Sequence, residues 1–418
     1  MEKLIIRNFA GIHNLEMELG KINLLLGPQA SGKSVSVKLI YFFKSLIKDI
    51  GYYSSNGKTF EEINDLTKEK FYRYFPPHTW NKEEEFRVEY YQNGYWIKVI
   101  QTRNQEIDIK YHPKIKALIH TGISIFENLK TSLDQHQIDE SLFFIEFNNK
   151  FRKYTHKTGI KYPHINIFIP SGRSFFSYIQ ANIFHFIQNN IPLDPFLVQF
   201  GSIYERSKTL DYQKNIHTRH SKDDDIFHYL LNRIINGKFV HINDKDIIQH
   251  KDGRAVEMLY ASSGQQEILP LLVILENQFF NPAANLSTKL FIEEPEAHLF
   301  PKAQYDVVKL LAHVFNSGNH YQYFITTHSP YILAAFNNLL YAGMLEEKLS
   351  AKQDIYSVIP KGEILAPGTI KAYELEHGGH LKSIMDPESG LIDQNVLDTA
   401  SEDIAEEFEK LLQLEFAS

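Results

Sequence analysis

Apolar and polar positions at the start of the chain predict three strands followed by a helix. Short apolar stretches predict strands at Lys3–Arg7, Leu15–Leu19 and Lys21–Leu26. The last of these is a nearly continuous apolar run, which is typical of a strand buried on both faces. Apolar residues then recur at helical spacing from Val35 to Lys48, so a helix is expected to follow.

The pattern changes in the middle of the chain. Apolar and polar residues alternate through residues 85–111 with an Asn-Gly pair between two of the stretches, which predicts antiparallel hairpins. Residues 113–158 have helical spacing, and residues 164–170 form another buried apolar run. A helical stretch to about residue 189 and a polar segment around 205–225 follow.

Strands and helices alternate again in the last third of the chain. The predicted elements are a strand over 289–293, a helix over 302–315, a strand over 322–326, a helix over 329–340, short strands over 355–359 and 370–373, and an acidic helix over 398–412. This alternation indicates a parallel sheet covered by helices.

The link between the third strand and the first helix carries the clearest chemical signal. It matches G-x-x-x-x-G-K-[ST], a loop whose N–H groups cradle phosphates at a helix N-terminus. Lys33 would reach the β- and γ-phosphates of ATP, and the Ser34 hydroxyl would hold Mg²⁺. A chance glycine turn is the alternative, but the flanking strand and helix favour the phosphate site. The predicted nucleotide-binding residues are Gly27, Pro28, Gln29, Ala30, Ser31, Gly32, Lys33, Ser34 and Val35.

Two later strands end in side chains suited to hydrolysis. One ends at Glu293 and Glu294, and a carboxylate facing a P-loop can hold Mg²⁺ while a second takes a proton from water. We assign Glu293 to the metal and Glu294 to the base, with a solvated strand end as the alternative. His328 follows the next strand and can bind the γ-phosphate or the attacking water, although such a histidine is more often structural. With Lys33, Glu294 and His328 make up the predicted catalytic set.

A second anion-binding turn begins the helix over 268–275. It supplies hydroxyls, a glycine and free N–H groups. One chain needs only one triphosphate cradle, so the second suggests a site for the nucleotide of another subunit. Its residues are Ser262, Ser263, Gly264 and Gln265.

These motifs, in this order, resemble the ATPase head of ABC-type proteins in the branch of SMC proteins, RecF and the OLD-family ATPases. The resemblance implies a head-to-tail dimer in which ATP on Lys33 and Ser34 of one copy is closed over by Ser262 and Gly264 of the other. The matching stretches are residues 5–9, 27–34, 261–265, 293–299 and 327–330, within roughly residues 1–48 and 255–340.

The sequence departs from the ABC pattern at two places. Most ABC proteins carry Asp where Glu293 stands, although OLD-like members share the Glu. No clear Q-loop glutamine is present, and residues 169–173 occupy its place. Arg173 in that turn would meet the γ-phosphate or the lid, or is simply a structural turn arginine.

The predicted fold class is α/β, a P-loop NTPase of the ABC-head type. It combines a mixed sheet, an antiparallel β subdomain and an inserted helical lid. The predicted division is residues 1–50 and 255–345 for the nucleotide-binding core, 51–112 for its antiparallel β part, 113–254 for a helical lid with return strands, and 346–418 for a C-terminal extension.

Composition and charge limit the binding partners, the cysteine chemistry and the cellular location that we expect. The 418 residues carry a net charge of -7, so contact with nucleic acid would need a local basic patch. There is no cysteine, which excludes disulfides and thiolate chemistry. No secretory leader or apolar run of membrane-spanning length is evident, so we expect a cytoplasmic protein.

The resemblance also suggests a biological role. The sequence after Pro330 has no Asp-x-Asp pair, which the TOPRIM nuclease domain of full OLD nucleases needs. Stand-alone OLD-like ATPases work beside a separately encoded effector, often a nuclease, in bacterial immunity. The first hypothesis is therefore an ATP-driven sensor or scaffold that controls such an effector in antiphage defence.

The rival hypothesis is a RecF-like ATPase that acts directly on DNA. A basic run with interleaved aromatic residues in the predicted lid can follow phosphates and stack on bases. A solvated helix face is the alternative interpretation. A catalytically silent scaffold ranks last because Lys33 and Glu294 are both present. The basic residues are Lys150, Arg152, Lys153 and Lys157.

Overall fold

A computed structural model describes residues 2–393 with short gaps. The gaps are 82, 102–105, 136–138, 177–187, 189–192, 210–221, 243–244, 281–285, 319 and 350–351. The predicted acidic helix over 398–412 and most of the helical stretch before residue 189 lie outside the described residues.

The described elements alternate between strands and helices. The strands are β1 Lys3–Phe9, β2 Ile12–Glu18, β3 Ile22–Leu26, β4 Phe86–Gln92, β5 Tyr95–Gln101, β6 Ile107–Tyr111, β7 His164–Ile169, β8 Lys238–Ile242, β9 Lys245–Gln249, β10 Ala255–Glu257, β11 Ser287–Glu293, β12 Tyr321–Thr327, β13 Ile370–Leu375 and β14 Leu381–Ser383. The helices are α1 Lys33–Ser55, α2 Phe60–Tyr74, α3 Pro113–Asp134, α4 Glu140–Thr158, α5 Pro195–Thr209, α6 Lys222–Ile234, α7 Ser263–Phe280, α8 Pro301–Asn316, α9 Pro330–Lys348 and α10 Lys352–Val358.

A six-stranded sheet forms the centre of the molecule, in the order β14-β13-β3-β12-β11-β7. All neighbours are parallel except β13 and β14. Parallel strands all point the same way, so their carboxyl ends lie at one edge of the sheet. This mixed sheet confirms the predicted α/β class.

A second sheet is antiparallel and has the order β2-β1-β4-β5-β6. It shares no described strand with the central sheet. The alternation through residues 85–111 gives β4, β5 and β6, and the Asn-Gly pair turns the β4–β5 hairpin. A small third sheet pairs β10, β9 and β8.

Helix α1 is buried because the two larger sheets cover it from opposite sides. Its apolar residues share one core with β1, β2 and β4–β6 and with Phe291 and Phe324 of the central sheet. The helices α7, α8 and α9 form a second core on the opposite face of that sheet. Neighbouring residues of β3 point to opposite faces of the sheet. Leu24 packs in the core with α7, α8 and α9, and Leu25 packs in the core with α1. This packing fixes the N-terminus of α1 at the edge where the parallel strands end.

Strand membership differs from the predicted division in two places. β7 comes from the range predicted as a lid, and β13 and β14 come from the range predicted as a C-terminal extension, yet all three belong to the central sheet. Parallel strands pair by register across crossover connections, so closeness along the chain does not show which sheet a strand joins.

The strand predicted over 355–359 is wrong, since α10 covers most of it. Ile355 and Ile359 are four residues apart and lie one helical turn from each other, with the Ile359 N–H bonding the Ile355 carbonyl at 2.9 Å. β-Branched residues suggested a strand, but their spacing fits one buried helical face. Among the described residues, no helical stretch combines the length and the hydrophobicity that a membrane span requires.

Candidate active site

Three parallel strands end side by side at one edge of the central sheet. β12 lies between β3 and β11, with Thr327 opposite Leu26 and Thr326 opposite Glu293. The glycine loop, the Glu293-Glu294 pair and His328 therefore follow adjacent strand ends. Ligands bind at this edge in open α/β sheets.

Two glycines of the loop have no room for a side chain. Gly27 has φ of 149°, and a Cβ there would lie 2.1 Å from the Leu375 carbonyl oxygen. Gly32 has φ of 101°, and its Cβ would lie 2.7 Å from Ile12 Cδ1. The loop is therefore pressed between the end of β13 and the start of β2, and only glycine fits both positions.

Lys33 is the first residue of α1 and lies across the loop. Its Nζ donates to the carbonyls of Gly27 and Pro28, both at 2.7 Å. Burial lowers the pKa of Lys33, and the carboxylates of Glu294 and Glu296 oppose the shift. The ammonium is thus held where a phosphate on the loop would meet it.

Ser34 and Glu293, the two residues assigned to the metal, lie close to each other. The Ser34 hydroxyl lies close enough to the Glu293 carboxylate to lower its pKa, and the Ser171 N–H donates to Glu293 Oε2 at 3.4 Å. Glu293 Oε1 is buried and has no hydrogen-bond partner among the described residues. An orphaned carboxylate oxygen beside a hydroxyl fits Mg²⁺, which takes few protein ligands when it also binds phosphates. Burial raises the pKa of Glu293, although Lys38 and the Ser34 hydroxyl oppose the shift.

Glu294 and His328 form a half-exposed pair. His328 Nε2 lies 3.5 Å from Glu294 Oε1, and the two side chains are 34% and 38% exposed. Glu294 has φ of 44°, which turns its side chain out of the strand alternation, and its N–H bonds the Thr326 carbonyl at 2.9 Å. The turn at the strand end thus breaks the strand alternation between two consecutive glutamates, which the assignment of both to one site would need.

Glu296 is a site residue that the sequence prediction missed. Its Oε1 accepts hydrogen bonds from the Thr327 hydroxyl at 2.8 Å and from the His328 N–H at 2.7 Å. Burial raises the pKa of Glu296, and these two donors oppose the shift. It holds the turn that presents His328. The third acid in Glu-Glu-Pro-Glu was the available signal.

The second anion turn is a capped helix start. Ser262 Oγ accepts from the Gln265 N–H at 3.3 Å, and Gln265 Oε1 accepts from the Ser262 N–H at 3.2 Å. This is a capping box at the start of α7. A Cβ on Gly264 would lie 2.7 Å from the His298 carbonyl oxygen, so α7 begins against the turn that follows Glu296. Ser262 and Ser263 remain exposed.

Arg173 lies in the predicted turn but follows the structural alternative rather than the cofactor-binding one. Its side chain is fully buried, with no exposed surface towards a phosphate or a lid. Its guanidinium binds backbone carbonyls and the carboxylate of Glu267. The cofactor-binding role is therefore corrected to a structural one, because every N–H donor is already used.

The basic run lies on α4. Lys150, Arg152, Lys153 and Lys157 are exposed, and Lys150 lies 3.9 Å from Glu146. Phe151, by contrast, is fully buried and packs against Phe147 and Tyr162. The cations can meet phosphates, but this aromatic ring is not available to stack on bases.

Comparison with known proteins gives structural and family matches. No curated protein matches the chain. A similar solved structure is the SMC head domain from Thermotoga maritima, with 10% identity, a TM-score of 0.37, and coverage of 91% of this chain and 98% of that chain.

Two further solved structures are similar to this chain. An SMC head bound to the C-winged helix domain of ScpA is 13% identical with a TM-score of 0.41, covering 93% of this chain and 99% of that one. The recombination mediator protein RecF is 12% identical with a TM-score of 0.34, covering 91% and 97%.

The family match rests on sequence. The model described as an AAA ATPase domain matches residues 80–333, which is more than half of the chain. The matched range contains the second anion turn, the Glu293-Glu294 pair and His328. The chain therefore belongs to the AAA ATPase domain family and is an ATP hydrolase.

Proposed function

We propose that two copies of this chain close head to tail around ATP, and that this closure controls a separately encoded effector, a nuclease, in antiphage defence. One observation supports the proposed head-to-tail dimer. The second anion turn is complete and capped, yet Ser262 and Ser263 face outward. A phosphate from another copy can reach them.

Exposed aromatic side chains surround that turn. Tyr260 is 76% exposed just before it, and Phe300 is 79% exposed just after the residues that touch Gly264. Tyr331, three residues after His328, is also exposed. Gln304 hydrogen-bonds both the Leu299 carbonyl and the Ser329 hydroxyl, and so joins the start of the Tyr331 helix to the turn beside Gly264. Aromatic residues are enriched at protein interfaces, so this surface suits a second copy.

The residues divide the chemistry as follows. The loop N–H groups and Lys33 would bind the phosphates, and Ser34 and Glu293 would hold Mg²⁺, which would supply charge neutralisation at the phosphate oxygens. Glu294 accepts the proton of the attacking water. His328, 3.5 Å from Glu294, orients that water or the γ-phosphate.

The effector part of the proposal rests on the resemblance to stand-alone OLD-like ATPases. The test is co-expression of tagged protein with its neighbouring genes, followed by mass photometry with and without ATP. Glu294→Gln should trap a complex of several copies plus a second protein. Lys33→Ala, which cannot bind ATP, is the matched control. If nothing co-purifies and phage plating is unchanged, the effector proposal fails.

A second candidate is a RecF-like ATPase that binds DNA. The exposed cations of α4 favour it, because Arg152, Lys153 and Lys157 have no ion-pair partner among the described residues. DNA binding should then weaken steeply with salt, and Ala at those three positions should reduce the slope. Lys116→Ala with Lys130→Ala, exposed on the neighbouring α3, is the control pair. Equal loss in both sets would indicate non-specific attraction.

A further inference from the structure

A buried arginine binds the backbone of Glu293 and Glu294, the proposed metal ligand and the proposed base. Arg173 donates from Nη1 to the Glu293 carbonyl at 2.8 Å and to the Pro170 carbonyl at 2.9 Å. Its Nη2 donates to the Glu294 carbonyl at 3.0 Å. The same side chain reaches helix α7, where Nε donates to the Glu267 carbonyl at 2.9 Å and Nη2 lies 3.3 Å from Glu267 Oε1.

Glu267 completes the link from the side of α7. Its carboxylate accepts the backbone N–H groups of Arg173 at 2.9 Å and Ser174 at 2.8 Å. Burial would raise the pKa of Glu267, but Arg173 and these N–H groups together lower it, so the carboxylate is charged at neutral pH. Both side chains are essentially fully buried.

The same helix also begins at the second anion turn. Glu267 lies four residues after Ser263, about one turn or ~6 Å along α7. A phosphate bound at Ser262, Ser263 or Gly264 would press on the start of α7, whose first turns carry Glu267. Any shift of that segment passes through Arg173 to the carbonyls of Glu293 and Glu294.

We propose that Arg173 and Glu267 are positioning residues that couple the second anion turn to the catalytic glutamates of the same chain. The ATP held by one copy would then set the geometry of the other copy's base. The inference rests on the roles proposed for Glu293, Glu294 and the head-to-tail pair. It adds a named route between the two sites to that proposal.

The chemistry of the pair explains why other residues would not serve. Arg173 makes five contacts in one plane, which a lysine with a single ammonium cannot reproduce. Glutamine at 267 keeps the size of the side chain, but one oxygen becomes an NH₂ group that cannot accept from an N–H. Both substitutions should weaken the coupling while changing the side-chain volume in the core only slightly.

The test compares Glu267→Gln and Arg173→Lys with a matched buried pair. Asp246→Asn is the control, because Asp246 and Lys208 form a similarly buried ion pair at 2.8 Å away from the site residues. We expect kcat of the two variants to fall about tenfold while the Kd for ATP changes little. Asp246→Asn should lower the melting temperature without changing kcat.

A double-mutant cycle shows whether the effect is coupling. Ser262→Ala and Glu267→Gln should each lower kcat, and the double variant should lose far less than the product of the two losses. If Glu267→Gln changes only the melting temperature, as Asp246→Asn does, the pair merely holds the fold and the inference is overturned. Wild-type protein that forms no ATP-dependent dimer would instead overturn the proposed function.

A measurement on folded protein covers the case in which the variants do not fold. Hydrogen exchange of the Arg173 and Ser174 N–H groups is followed in Glu294→Gln protein with and without ATP. Closure on α7 should slow their exchange, since both donate to Glu267. Unchanged exchange in an ATP-bound dimer would contradict the coupling.

Discussion

At the scale of single residues, Glu294 combines a half-exposed carboxylate, 3.5 Å from His328 Nε2, with a left-handed backbone at the end of β11. We predict that Glu294→Gln keeps ATP bound but slows turnover about 100-fold or more, because the proton of the attacking water has no acceptor. Radiolabelled ATP binding and phosphate release measure the two properties. Lys33→Ala should lose binding as well. Normal turnover in both variants would show that the base and the phosphate ligand are elsewhere.

Glu293 should make the affinity for Mg²⁺ depend on pH. Its pKa is raised by burial, so the carboxyl stays protonated to higher pH than an ordinary glutamate. Mg²⁺ needs the ionised form, so its affinity should fall as pH falls through this raised pKa. Calorimetric titration of Mg²⁺ into ATP-bound protein checks this. It should cover roughly pH 4.5 to 8, the range in which glutamates with a raised pKa titrate. Glu293→Gln should bind weakly at every pH.

At the scale of elements, the glycine loop depends on its contact with β13. We predict that Gly27→Ala abolishes ATP binding, because the added Cβ would lie 2.1 Å from the Leu375 carbonyl and force the loop outward. Gly253→Ala is the matched control, since Gly253 also has positive φ but nothing lies within 4 Å of its Cβ. The control should cost about 1 kcal/mol of stability and leave binding intact. Equal effects would mean that backbone strain alone matters.

Sequence patterns predicted the strand ends around the candidate site, while the roles of the residues that follow them stay predictions. The P-loop, the Glu293-Glu294 strand end and His328 are each signalled by a buried strand followed by polar residues, and adjacent parallel strands bring such ends together. Glu296 and Glu267 were missed because their partners lie in other elements. Arg173 was misplaced for the same reason: its turn was correct, but only tertiary packing shows that all its donors face inward.

At the scale of the whole molecule, the central sheet is completed late in the chain. We predict that a protein ending at residue 368, which lacks β13, does not bind ATP, because Gly27 loses the strand against which its loop packs. A protein ending at residue 393 keeps β13 and β14 and should bind normally. Binding of a fluorescent ATP analogue to both proteins is the measurement. Binding by the shorter protein would show that the loop holds its shape unaided.

The position of β13 has a consequence during synthesis on the ribosome. The loop leaves the exit tunnel early, but the strand that presses on Gly27 is made some 340 residues later, and β12 only shortly before it. At about 5–20 residues per second, the loop waits roughly 20–70 s for its neighbours. For most of that wait neither β12 nor β13 exists to pair with β3, and until β13 is made we expect no nucleotide binding to stabilise the nascent chain. Prematurely terminated chains would therefore be unable to capture ATP, and they could not enter an assembly that requires it.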